Sequence, residues 1–132
     1  MKIVADTNAF LVVALEEPEK GALIALTAGH DLIAPEVLPF EVGNALTTLM
    51  RRRRLRPDQL TSVWEAAQRI PVELRRIDVR SALVIAGRFG IYAYDAYFIE
   101  CAIHSRAPLL TLDQQMIRVA RELSVETLEL EG

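Results

Sequence analysis

A chain of 132 residues has the length of one compact domain, residues 1–132, because two separate cores would each be too small to offset chain entropy. With 52% hydrophobic and 25% charged residues and a formal net charge of −3, the composition excludes a long disordered tail and a protein that grips nucleic acid by bulk positive charge. The single cysteine, Cys101, excludes an intrachain disulfide and a cysteine-rich zinc site, and it fits a reducing cytoplasm.

Lys2-Ile3-Val4-Ala5 is a short apolar run ahead of polar Asp6-Thr7-Asn8, which predicts a buried central strand feeding a helix start. The apolar stretch from Ala9 to Leu15 has the look of a signal peptide. Asp6 and Asn8 precede it, however, and Glu16-Glu17-Pro18-Glu19 stands where small cleavage-site residues belong. No run reaches the ~20 apolar residues that span a bilayer, so neither secretion nor membrane embedding is expected. Helical spacing covers Ala9 to Leu15 and Glu19 to Ala28, with Gly29 placed to end the second helix.

Asp31 to Ala34 predicts the next strand. Beyond Pro35 a long helix is expected to about Arg54, and Pro57 opens another through about Arg69. Val72-Glu73-Leu74 with Ile77 suggests a third strand. Helices follow over Val79 to Ala86 and Asp95 to Ser105, separated by a two-glycine segment from Gly87 to Tyr94. Leu109 to Thr111 predicts a strand, Gln114 to Leu123 a helix, and Val125 to Leu130 a last strand. Short apolar strands alternating with helices predict an α/β fold, a three-layer α/β/α sandwich around a central, mainly parallel sheet. In such sheets ligands gather outside the carboxyl ends of the strands.

Four acids are candidates for that edge. Asp6 follows the first strand, Asp95 opens a helix and Asp113 follows the Leu109 to Thr111 strand; each is equally the residue type that caps a helix. Glu41 differs. Spacing by three and four puts Leu38, Glu41, Ala45 and Leu49 on one stripe, the face expected against the sheet, where an unpaired carboxylate is costly. Arg51 begins the nearest basic run, too far along the helix to neutralise it. Four carboxylates at one strand edge repel one another unless a cation is bound, and hard oxygen ligands suit Mg²⁺ or Mn²⁺. A pocket of that kind suits phosphodiester hydrolysis, in which the metal positions a hydroxide and neutralises the phosphate while a free carboxylate accepts the water's proton.

In order, the chain carries Ile3-Val4-Ala5-Asp6-Thr7-Asn8, Glu41-Val42-Gly43-Asn44, Tyr94-Asp95-Ala96-Tyr97-Phe98-Ile99-Glu100-Cys101-Ala102 and Leu110-Thr111-Leu112-Asp113. With these motifs it resembles the PIN domain over essentially its whole length, and within that family the small VapC-type toxins, ribonucleases held inactive by a cognate antitoxin. The resemblance implies that Asp6, Glu41, Asp95 and Asp113 form an acidic site requiring Mg²⁺ or Mn²⁺. It also implies internal cleavage of RNA, a VapB-like antitoxin as partner and a homodimer as the assembly. Thr7 and Thr111 would support the site by hydrogen bonding, and Asn44 would orient groups near Glu41. Some members carry a further acid after the last motif; here Met116, Ile117 and Arg118 follow Gln114-Gln115, which counts against a second metal.

Arg51-Arg52-Arg53-Arg54, with Arg56, is either a solvated helix end or a contact for phosphates or an acidic partner. Tyr92 and Tyr94, in the loop before Asp95, are better placed to touch RNA than Tyr97 and Phe98, which share a helix with apolar neighbours. Trp64 reads as packing, or as part of a groove for an antitoxin helix. His30 and His104 lack a second ligand at metal-binding spacing. Three other functions compete: a non-toxin PIN nuclease in RNA processing, a haloacid-dehalogenase-like phosphatase and a non-catalytic binding module. The phosphatase pattern wants a second aspartate where Asn8 stands, and a module without turnover would be expected to lack one of the four acids.

Overall fold

Ile3, Val4 and Ala5 are no more than 2% exposed, which places the first strand at the centre of a sheet covered on both faces. The computed structural model describes residues 1–130. Its strands are β1 (Lys2–Ala5), β2 (Asp31–Pro35), β3 (Glu73–Arg75), β4 (Leu109–Leu110) and β5 (Thr127–Leu128), all paired in parallel in the order β3-β2-β1-β4-β5. Parallel pairing requires crossovers, and these are supplied by α1 (Thr7–Ala14), α2 (Lys20–Thr27), α3 (Leu38–Arg51), α4 (Leu60–Gln68), α5 (Val79–Phe89), α6 (Ala93–Ser105) and α7 (Gln114–Glu122). α1 packs on α2, α3 and α4, whereas α6 packs on α5, α7 and strands β1, β2 and β4. The result is the expected three-layer α/β/α sandwich.

One hydrophobic core joins the layers. Ile3, Val4, Ile33, Leu109 and Leu110 contribute the sheet, and Phe98, Ile99 and Val119 contribute one helical cover. Register fixes the site: Val4 lies opposite Leu109 and Ala5 opposite Leu110, so the residues leaving β1 and β4 emerge side by side. Among the described residues no single helix is long and apolar enough to cross a membrane.

Several boundaries differ from expectation for local reasons. The long helix stops at Arg51 rather than Arg54, because the chain turns through a left-handed Arg53 at φ 58°. Its core stripe is Leu38, Val42 and Leu46, one position round from the predicted Leu38, Glu41, Ala45 and Leu49, and the last three are only half-buried. The predicted gap from Gly87 to Tyr94 shrinks to residues 90–92. Gly87 is helical, and Gly90, at φ 67°, ends α5 in the left-handed conformation that glycine tolerates. α6 therefore starts two residues before Asp95, with Tyr92 at the N-cap; Asp95 is not a cap and Tyr94 is helical. β3 forms over Glu73–Arg75, later than Val72 and without Ile77. β4 ends at Leu110, before Thr111, and β5 is confined to Thr127–Leu128.

Candidate active site

Asp6 leaves the central strand and caps α1, its Oδ1 accepting from Ala9 N at 3.0 Å. Its other oxygen, Oδ2, accepts from Thr111 Oγ1 at 2.5 Å, a bond made possible by the level ends of β1 and β4. Thr111 Oγ1 in turn accepts from Asp113 N at 3.1 Å. Asp113 caps α7 through Oδ1, which accepts from Gln115 N and Met116 N at 2.8 and 3.2 Å. The helix-cap reading of both aspartates is therefore correct, yet each cap uses the carboxylate only in part. Among the described residues no donor reaches Asp113 Oδ2.

Glu41, in the first turn of α3, and Asp95, in the first turn of α6, approach the same spot from two other elements. Together with Thr7, Asn8, Phe98 and Met116, the four acids line one pocket of about 40 Å³. That volume admits an ion or a water molecule or two, and nothing larger. Glu41 Oε2 and Thr7 Oγ1 are both buried with no hydrogen-bond partner of good geometry, although the hydroxyl lies close enough to favour the ionised carboxylate.

The electrostatics follow from burial. Asp6 is 4% exposed, and burial pushes its carboxyl up from 3.8 to about 6. The hydrogen bonds from Thr111 and Ala9 oppose that rise, while the charges of Asp113 and Asp95 add to it. Glu41 is raised chiefly by burial, with Thr7 opposing and Asp95 and Asp6 adding to the rise. Asp95 is raised by burial and by Asp113. Among the described residues no positively charged side chain pairs with any of the four.

A divalent ion fits this donor set in its chemistry. The ligands are hard oxygens, their joint charge is uncompensated, and Glu41 Oε2 is a buried acceptor without a donor. As the side chains stand, no three acidic, histidine or cysteine residues among those described are gathered tightly enough to grip an ion. Among the described residues no hydrogen bond of good geometry holds the Asp95 carboxylate or Glu41 Oε2. Asp6 is already fixed by two donors.

The PIN-domain family model matches residues 3–122. The chain belongs to the PIN-domain family. This PIN domain is 30% identical over 121 residues to ribonuclease VapC3 of Pyrobaculum aerophilum, an alignment covering 88% of the chain and 92% of that relative. Its fold superposes on the crystal structure of PAE2754 from Pyrobaculum aerophilum with a TM-score of 0.71 at 19% identity, covering 98% of this chain and 92% of that one. It also superposes on VapBC2 from Rickettsia felis, a structure bound to a DNA fragment from its promoter, with a TM-score of 0.69 at 14% identity. There the coverage is 99% of this chain and 100% of that one. At these identities the two superpositions speak to the fold.

The PIN domain brings Asp6, Thr7, Glu41, Asp95 and Asp113 to one pocket, with Thr111 directly behind Asp6. Asn44 is exposed on α3, and the hydrogen bonds it accepts, from Thr47 and Thr48, go to its backbone carbonyl. Tyr94 is 44% exposed and meets Tyr97 edge to face, ring centres 5.9 Å apart. Trp64 packs partly buried against the core, and His30 and His104 are exposed. Sequence reasoning missed Asn8, Phe98 and Met116 as lining residues. The last two stand three positions after Asp95 and Asp113, on the same helical faces, and that spacing was the available signal.

Proposed function

We propose that this PIN domain is a Mg²⁺- or Mn²⁺-dependent endoribonuclease, the toxin of a toxin–antitoxin pair. The observation that carries the reading is the gathering of four acids around one small pocket, none paired with a cation among the described residues, with Asp6 lifted to about 6. Such a cluster is stable with its charges intact only when a cation joins it. The similarity to a protein named ribonuclease VapC3 supports RNA as the substrate, and the superposition on VapBC2 supports a VapB-like antitoxin as partner. A homodimer acting in the cytoplasm is the assembly that the family resemblance favours.

In this mechanism Asp6, Asp95, Asp113 and Glu41 are the residues that would hold the ion. When bound, it offsets phosphate charge and acidifies an attacking water. Thr111 keeps Asp6 ionised and in place by donating to Oδ2. Glu41, whose affinity for a proton burial raises, would take the attacking water's proton where it is left free of the ion. Phe98 and Met116 form the apolar wall that keeps bulk water from competing for the carboxylates. Tyr94, beside Asp95 and partly exposed, offers a ring to a base next to the scissile bond.

The test is cleavage of assorted structured RNAs by the purified chain with and without Mg²⁺ or Mn²⁺, beside Asp6→Asn and Asp95→Asn. Cleavage should require the metal and fall by roughly 100-fold or more in either variant. Cleavage without metal, or full activity in both variants, would overturn the reading.

A further inference from the structure

The acid-lined pocket repels the phosphates it is proposed to cut, and the net charge of −3 does not help. Local charge does. Between Glu41 and Asp58 the chain contains no acid, and Arg51, Arg52, Arg53, Arg54 and Arg56 fall in that interval. Arg51 to Arg54 are all exposed, and among the described residues none of the four pairs with a carboxylate.

These arginines stand on a built turn. On a continuing helix, four successive side chains would point about 100° apart and at least one would meet the core. Instead α3 stops at Arg51, and the backbone turns left-handed at Arg53, a conformation in which a β-carbon is costly. The turn's amides are satisfied: Arg52 N donates to Thr48 O, Arg53 N to Met50 O and Arg54 N to Leu49 O. Leu55, 8% exposed, anchors the chain in the core immediately afterwards. Gln59 then accepts from Arg56 N at 2.9 Å, pinning the start of the 3-10 turn Pro57–Gln59. The turn thus presents all four arginines to solvent, and guanidinium forks match phosphate oxygens.

A groove of about 550 Å³ runs from the site along α3 toward the turn, ending short of the arginines. It shares Asn8 and Asp113 with the acid-lined pocket and reaches Thr48 and Leu49 on α3, three and two positions before Arg51. Glu17 and Glu19 on its other wall disfavour phosphate there, which leaves the α3 side as the favourable track. Along α3 the ten residues from Glu41 to Arg51 span ~15 Å at ~1.5 Å each. About four nucleotides stacked at ~3.4 Å cover that distance.

We propose that Arg51–Arg54 form a phosphate clamp that holds the single-stranded RNA backbone about four nucleotides from the scissile bond. This rests on the ribonuclease reading for the identity of the strand. The clamp makes affinity a property of substrate length and salt, and leaves the chemistry to the acids.

The experiment measures binding of an end-labelled, mixed-sequence 12-nucleotide RNA by fluorescence anisotropy in EDTA, over a range of salt, with the full chain. A fourfold Arg→Gln variant at 51–54 should bind at least about tenfold more weakly at low salt, with the log–log salt slope reduced by about 3, as loss of four phosphate contacts at ~0.7 each requires. The fourfold Arg→Lys variant should keep most of the slope, and both should retain the wild-type circular dichroism spectrum. An unchanged slope in the Gln variant, an equal loss in the Lys variant, or no RNA binding by the wild type would overturn the clamp. Loss of binding to a polyglutamate peptide with RNA binding intact would overturn it too, by assigning the turn to an acidic protein. RNA binding that follows the arginines, in a chain that never cleaves RNA with Mg²⁺ or Mn²⁺, would keep the clamp and remove the ribonuclease reading.

Discussion

Thr111 Oγ1 donates to Asp6 Oδ2 at 2.5 Å across 105 residues of chain, and the same oxygen accepts from Asp113 N at 3.1 Å. One buried hydroxyl therefore sets two of the four acids relative to each other. Thr111→Val keeps the volume and removes both bonds. Unfolding free energy should fall by about 1–3 kcal/mol, because Asp113 N and Asp6 each lose a partner. Asp6 should also protonate more readily, moving the acid limb of the pH–activity profile to higher pH. Thr111→Ser should restore the limb while keeping part of the packing loss. An unmoved limb in the Val variant would show that the hydroxyl does not hold the charge.

The rise of Asp6 to about 6 has a direct consequence for stability. Its folded value lies above its unfolded 3.8, so the metal-free fold binds more protons than the unfolded chain between those values. Stability from this group is then greatest at low pH and falls as pH rises from about 4 to about 6. Asp6→Asn should flatten that part of the curve of melting temperature against pH. Mn²⁺ added at pH 7 should raise the wild-type melting temperature and leave Asp6→Asn nearly unaffected. Parallel curves for the two proteins across pH 4–6 would refute the proposed burial penalty.

Glu41 gives a complementary signature, since its Oε2 is buried with no donor of good geometry and burial outweighs the nearby Thr7 hydroxyl. Glu41→Gln removes the charge and keeps the shape, so the metal-free protein should be at least as stable as wild type at pH 7. RNA cleavage should drop by roughly 100-fold, the scale of a lost general base. A large loss of metal-free stability would mean that the carboxylate makes a favourable contact after all.

Asp78 and Asp113 are both helix caps, and only one lines the pocket. Asp78 accepts from Ser81 N at 3.1 Å and from Ser81 Oγ at 2.9 Å at the start of α5. Alanine at either position should cost about 1 kcal/mol in chemical denaturation, the usual worth of a cap. Asp78→Ala should cleave RNA like wild type, whereas Asp113→Ala should be inactive. Equal activities would remove Asp113 from the site.

Phe98 is 1% exposed and both fills the core and walls the pocket. Phe98→Ala should lower unfolding free energy by about 3–5 kcal/mol, read from the denaturant midpoint. Phe89→Ala at the end of α5, where the ring is partly exposed beneath the Arg88 guanidinium at 4.9 Å, should cost clearly less.

Much of this was legible in the chain itself. The alternation of short apolar runs with helical spacing determined the α/β/α layers, since each period corresponds to burial on one kind of element. Asp6, Asp95 and Asp113 stood out by their position at strand and helix junctions, and Glu41 stood out as a charge beside a core stripe. Local signals were weaker where two tendencies compete. Gly87 looked like a break but is tolerated within α5, and Asp95 looked like a cap because carboxylates favour first turns and N-caps alike. Only the tertiary structure decided which carboxylate oxygens have donors, because that depends on the level ends of β1 and β4 and on side chains more than a hundred residues apart. It also decided that Glu41 lies one position off the core stripe, facing the pocket, and that all four arginines reach solvent on a turn anchored by Leu55. Register and chain reversal are long-range properties, and no window of sequence contains them.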